Sequence, residues 1–102
     1  MKERVEQLIL EALDHDQVRL PKSNFEACAF CYYEYQKAED KLNATDSNVR
    51  SAWKATKAGA KPNVMEARFR AIYKGAVELA VCAIEMALLS QRVLKAIKGG
   101  RT

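Results

Sequence analysis

An all-α fold is the expectation for this chain, and three observations carry it. Only two prolines and four glycines interrupt 102 residues, so little in the sequence forces a turn. The long stretches between them are rich in Ala, Leu, Glu, Lys and Arg, a helix-forming composition. Apolar residues also recur at spacings of three and four, the period of a helix with one buried face. The expected architecture is a small helical bundle forming one domain over 1–102. It is built on a long C-terminal helix at about 63–98, paired with a helix at about 23–43.

The first helix is expected from Lys2 to Asp14, with Val5, Leu8, Ile9, Ala12 and Leu13 on one stripe. Pro21 disfavours helical geometry at Leu20, so a connector belongs there. Ser23-Asn24-Phe25-Glu26 has the spacing of a capping box, in which the Ser hydroxyl and the Glu carboxylate satisfy free backbone N–H groups. The helix it opens is expected to reach about Asn43, with Cys28, Cys31, Tyr35, Ala38 and Leu42 facing the core. Phe25 and Tyr32 flank that stripe, while Phe30 and Tyr33 fall on other sides.

Residues 44–62 suggest a separate short helix. Asp46 or Ser47 would cap it, Val49, Ala52, Trp53 and Thr56 would form a narrow buried stripe, and Gly59 and Pro62 would end it. Asn63-Val64-Met65-Glu66 repeats the capping logic and opens the last helix, which Gly99-Gly100 closes. Gly75 inside it costs about 1 kcal/mol relative to Ala but need not break it. From Asn63 to Lys98, at 1.5 Å per residue, the helix would span roughly 54 Å. Such a helix in so small a chain must protrude, kink at Gly75, or belong to an elongated assembly.

Its surface points to the last of these. Lys74, Glu78, Glu85, Arg92 and Lys95 mark a polar stripe, yet Val81, Cys82, Leu88 and Leu89 fall on or beside it. A helix apolar nearly all round is buried nearly all round. The rest of this chain scarcely suffices to cover it, so an elongated homodimer through the long helix is expected, with Val81 and Leu88 at its interface.

Charge supplies the functional clue. Residues 1–46 carry six Lys/Arg against ten Asp/Glu, whereas 47–102 carry eleven against three. Arg50, Lys54, Lys57 and Lys61 stand at helical spacing around Trp53, and Arg68, Arg70 and Lys74 extend the field. A second basic group runs from Arg92 to Arg101. Such a face suits the phosphates of a nucleic acid, with Trp53 supporting it from the core or stacking on a base. A solvated lysine face is the plainer reading of the same pattern. An acidic protein surface is the alternative partner, met by the aromatic group around Phe30 and Tyr33, since exposed Phe and Tyr suit protein interfaces.

Most chemistry is disfavoured. No Walker-type loop, no Gly-x-Gly-x-x-Gly and no Gly-x-Ser-x-Gly elbow occurs. Cys28 and Cys31 form a C-x-x-C pair, and Cys82 and His15 complete the atoms of a Cys₃His zinc site, but no second local ligand pair accompanies them. Glu78 and Glu85 lack the histidines of a di-metal bundle. The expectation is a non-catalytic protein without metal, cofactor or small-molecule substrate. Three cysteines and the absence of an apolar leader or membrane span suggest reduced thiols in the cytoplasm.

Overall fold

The computed structural model describes residues 1–15 and 22–99, with side chains described outside 12–15. The described residues are 91% helical, and their elements are α1 (Lys2–His15), α2 (Asn24–Lys57) and α3 (Pro62–Lys98). The described residues contain no strand. The expected connector around Leu20 and Pro21 lies outside the described residues, as do Gly100, Arg101 and the side chain of His15.

Contacts divide the chain into two compact units, one of 1–35 with 83–102 and one of 36–82. α2 and α3 each supply residues to both. The first unit buries Ile9 of α1, Ala27 of α2, and Leu88, Leu89 and Arg92 of α3. The second buries Ala38, Ala52 and Cys82.

The capping signal before α2 is realised. The Glu26 N–H donates to Ser23 Oγ at 3.1 Å, and Glu26 Oε1 accepts from the Lys22 N–H at 3.4 Å. α2 then runs without interruption through the expected break at Asn43. Asn, Thr, Asp and Ser are favourable cap residues, but none prevents a helix from continuing. Here Thr45 and Asp46 are satisfied inside it. Thr45 Oγ1 donates to the Lys41 carbonyl at 2.8 Å, and Asp46 accepts from Arg50 Nε at 3.0 and 3.1 Å. Asp46 is thus an i,i+4 partner rather than a cap.

The end of α2 is a Schellman turn. Gly59 adopts φ 72° and donates to the Thr56 carbonyl at 3.0 Å, while the Ala60 N–H reaches the Ala55 carbonyl at 2.9 Å. α3 begins one residue earlier than expected because Pro62 takes its first position, where the missing N–H costs nothing. The Lys61 carbonyl accepts the first bonds, from Val64 and Met65. Glu66 binds Arg70 instead of closing a capping box.

The buried face of α2 differs from the expected one. Glu26 and Ser51 apart, its sheltered positions are Ala27, Cys31 and Glu34 in the first unit, then Ala38, Lys41, Thr45, Asn48, Ala52 and Ala55 in the second. They alternate at spacings of four and three, the heptad seam of a coiled coil. Tyr35, Leu42, Val49 and Trp53, expected inside, are exposed. The reason is steric. The alanines that recur in the seam let two helix backbones approach closely, and the bulky apolar side chains of α2 are displaced to its edges.

In the second unit α3 supplies the other side of that seam with Met65, Ile72, Gly75, Leu79 and Cys82. Thr56 Oγ1 lies 3.7 Å from Met65 Sδ, Thr45 lies against Gly75, and Lys41 Nζ meets Glu78 Oε2 at 2.9 Å. Contacts that descend α2 while ascending α3 make the pair antiparallel. α3 passes through Gly75 without leaving helical geometry. In the first unit α1 lies along α3, where Glu6, Ile9 and Leu10 share a groove with Ala87, Ser90, Gln91 and Leu94.

Two expectations about α3 are corrected here. Leu88 is only 6% exposed, so it is a core residue of the first unit and unavailable to a second chain. Arg92, expected on the polar stripe, is 8% exposed. It lines a groove with Leu89, Glu34 and Glu85, which accommodates both its aliphatic stem and its charge.

Candidate functional site

The basic residues occupy the second unit around the α2–α3 turn. Arg50, Lys54 and Lys57 project from the last turns of α2, and Lys61 sits in the connector just ahead of Pro62. Arg68 and Arg70 follow on the first turns of α3, and all six are exposed. Their sequence explains the clustering. A Schellman turn and a proline start reverse the chain within four residues, so the basic end of one helix adjoins the basic start of the next.

Two of the cations are committed locally. Arg50 pairs with Asp46, and Arg70 Nη2 holds Glu66 Oε1 at 2.6 Å. Lys54, Lys61 and Arg68 form no ion pair with the described residues. Lys57 Nζ stands over the Trp53 ring, 5.5 Å from its centroid, a cation–π contact one helical turn apart. Trp53 is therefore a surface ring rather than a core anchor. The buried stripe expected of it belongs to Ala52 and Ala55.

Lys74 faces Glu78, and the ion pair of Glu78 is with Lys41. The hydrogen bond and charge of Lys41 hold the Glu78 carboxyl below its usual range, and Glu78 in turn raises the Lys41 ammonium. Both groups remain partly solvated, which makes this a surface tie across the helix pair rather than a reactive couple.

The second predicted surface lies in the first unit. Phe30 and Tyr33 are exposed and line a shallow groove of about 180 Å³ with Glu34, Glu85, Leu89 and Arg92. Tyr32 and Tyr35 stack with centroids 6.2 Å apart. Val81, in the second unit, is exposed as an interface residue requires. Leu88 is not.

The cysteines divide by environment: Cys28 is exposed, Cys31 half-buried and Cys82 buried, and all three are free thiols. No group of three or more metal-ligating side chains occurs among the described residues. No helix among them is long and apolar enough to cross a membrane.

Sequence reasoning missed the apolar side of the second unit. Leu42, Val49 and Trp53 on α2, and Phe69, Tyr73 and Val77 on α3, are all exposed. Their spacing is helical, and a hydropathy stripe assigns such residues to the interior. The signal that could have separated them is the parallel series of small residues that occupies the seam instead. No protein-family model matches the sequence, and neither a curated protein nor a solved structure matches it.

Proposed function

We propose that this chain is a non-catalytic helical binding module of the cytoplasm, working as a homodimer, whose basic turn between α2 and α3 contacts a polyanion, by its chemistry a nucleic acid. One observation carries the reading. Lys54, Lys61 and Arg68 are exposed and uncommitted to any acid among the described residues, and Lys57 and Trp53 stand beside them. Uncommitted cations release counterions when they meet phosphates. An odd number of cysteines agrees with a reducing compartment.

The test is anisotropy with labelled single- and double-stranded oligonucleotides over a salt series. Affinity should fall steeply with added salt. Lys54→Glu with Lys57→Glu should abolish it, and single replacements should flatten the log–log slope by about 0.9 for each phosphate no longer neutralised. Unchanged affinity in the double variant contradicts the reading.

A second reading rests on Phe30 and Tyr33, both exposed on a groove that also carries Glu34, Glu85 and Arg92. In it the chain is an accessory or inhibitory protein that meets an acidic or nucleic-acid-binding protein. A complex insensitive to salt and abolished by Tyr33→Ala, without oligonucleotide binding, selects it over the first.

A further inference from the structure

The second unit has two unlike sides. Helical phase, fixed by the Thr45–Gly75, Lys41–Glu78 and Thr56–Met65 contacts, places Leu42, Val49 and Trp53 of α2 on the same side of the pair as Phe69, Tyr73 and Ala76 of α3. The opposite side carries Lys74 and Glu78, the latter reached from the seam by Lys41. The apolar side is large. Trp53, Phe69 and Tyr73 are 61%, 60% and 73% exposed, which leaves roughly 400 Å² of these three residues in water. Apolar patches of that size on a soluble chain mark interaction surfaces.

The unit's own core does not account for its stability. Among its 47 residues the buried hydrophobics are two alanines and a cysteine. Isolated helix pairs with so little apolar burial need a further layer. Trp53, Phe69 and Tyr73 stay exposed, so no described residue supplies one on that side.

Charge along α2 indicates what does. Glu39 and Asp46 border the apolar side before Asn48, and Arg50 and Lys57 border it after. The two series are symmetric: Glu39 stands nine positions before Asn48 and Lys57 nine after, Asp46 two before and Arg50 two after. A two-fold axis level with Asn48 sets each acid opposite a base of the mate, the self-complementarity that an isologous contact requires.

We infer that the apolar side of the second unit binds a second copy of this chain, α2 antiparallel to α2, with Leu42, Val49, Trp53, Phe69 and Tyr73 forming the buried layer of a four-helix arrangement. This rests on the dimeric part of the function proposed above; it takes Trp53 and Lys57 for the interface and leaves Lys54, Lys61 and Arg68 to the polyanion. It also places the interface away from Leu88, which is buried within its own chain, on residues that are exposed and able to form it.

The test is sedimentation equilibrium of the full chain without nucleic acid, with helicity checked by circular dichroism. The wild type should sediment at twice its 11.5 kDa chain mass at micromolar concentration. Val49→Glu and Phe69→Glu, both at exposed positions, should weaken association at least tenfold while keeping the helical signal. Glu39→Lys and Lys57→Glu should each weaken it alone, and an equimolar mixture of the two variant chains should restore it. A single-chain mass for the wild type overturns the inference. So does a dimer indifferent to both Val49→Glu and Phe69→Glu, or a charge-swapped mixture no tighter than its parts. The sample contains no oligonucleotide, so failure of the polyanion reading would leave these results unchanged.

Discussion

Gly75 lies directly against Thr45 where α2 and α3 pack in the second unit. A Cβ at position 75 would stand 2.5 Å from Thr45 Oγ1, the hydroxyl that donates to the Lys41 carbonyl. Gly75→Ala therefore sets a helix-propensity gain of about 1 kcal/mol against an overpacking cost of about 1–3 kcal/mol. The clash should prevail, lowering stability by about 1 kcal/mol in urea titration. In a Thr45→Ala background the nearest remaining side-chain atom is the position-45 Cβ at 3.5 Å, an ordinary contact. There Gly75→Ala should stabilise, so the double-mutant cycle changes sign.

Gly59 presents the opposite case, strain without crowding. A Cβ there meets nothing within 4 Å, yet φ is +72°. Gly59→Ala should cost about 1–2 kcal/mol from backbone conformation alone. Gly59→Asn, which tolerates the left-handed region, should recover much of that loss in the same titration.

The Lys41–Glu78 tie predicts a pH dependence at both extremes. Glu78 has a folded pKa below its unfolded value, so its contribution is present above the unfolded value and is lost as pH falls through the folded one. Lys41 is raised, so its contribution is present below its unfolded value and is lost as pH rises through the folded one. Wild type should exceed Glu78→Gln in urea midpoint at neutral pH, and the gap should close toward strong acid and strong alkali. Partial solvation keeps that gap small, and salt should narrow it.

The thiols should separate kinetically. Cys28 is exposed and Cys82 buried, so a thiol reagent should label Cys28 at once and Cys82 only on opening of the second unit. Mass spectrometry of the partly labelled protein reads the order directly.

Much of the helical plan is legible in the sequence, because punctuation is chemical. Ser23 with Glu26, Gly59, Pro62 and Gly99 mark helix ends by hydrogen-bonding capacity or backbone freedom, and those ends fall within a residue or two of the expected positions. Continuity through 43–47 is not legible, since Thr45 and Asp46 serve equally well as caps or as i,i+4 partners, and tertiary contact at Thr45 decides between them. The buried face is hidden for a related reason. Large apolar residues dominate any hydropathy pattern, whereas α2 buries Ala27, Ala38 and Ala52. Around the candidate site the lysines and arginines lie at the surface, as charge alone dictates. Trp53 is exposed against its hydropathy because Ala52 takes the seam position beside it, whereas Leu88 is buried in the first unit as its hydropathy alone would suggest.

The central claim, that the apolar side of the second unit is covered by a second chain, meets its most direct test in the emission of Trp53, the sole tryptophan. At high protein concentration the emission should be blue-shifted, as for a ring out of water. It should move to the red on serial dilution, with a midpoint matching the dissociation constant from sedimentation, and Phe69→Glu should emit red throughout. Emission that stays at the position of a solvated indole across the whole series would contradict the account.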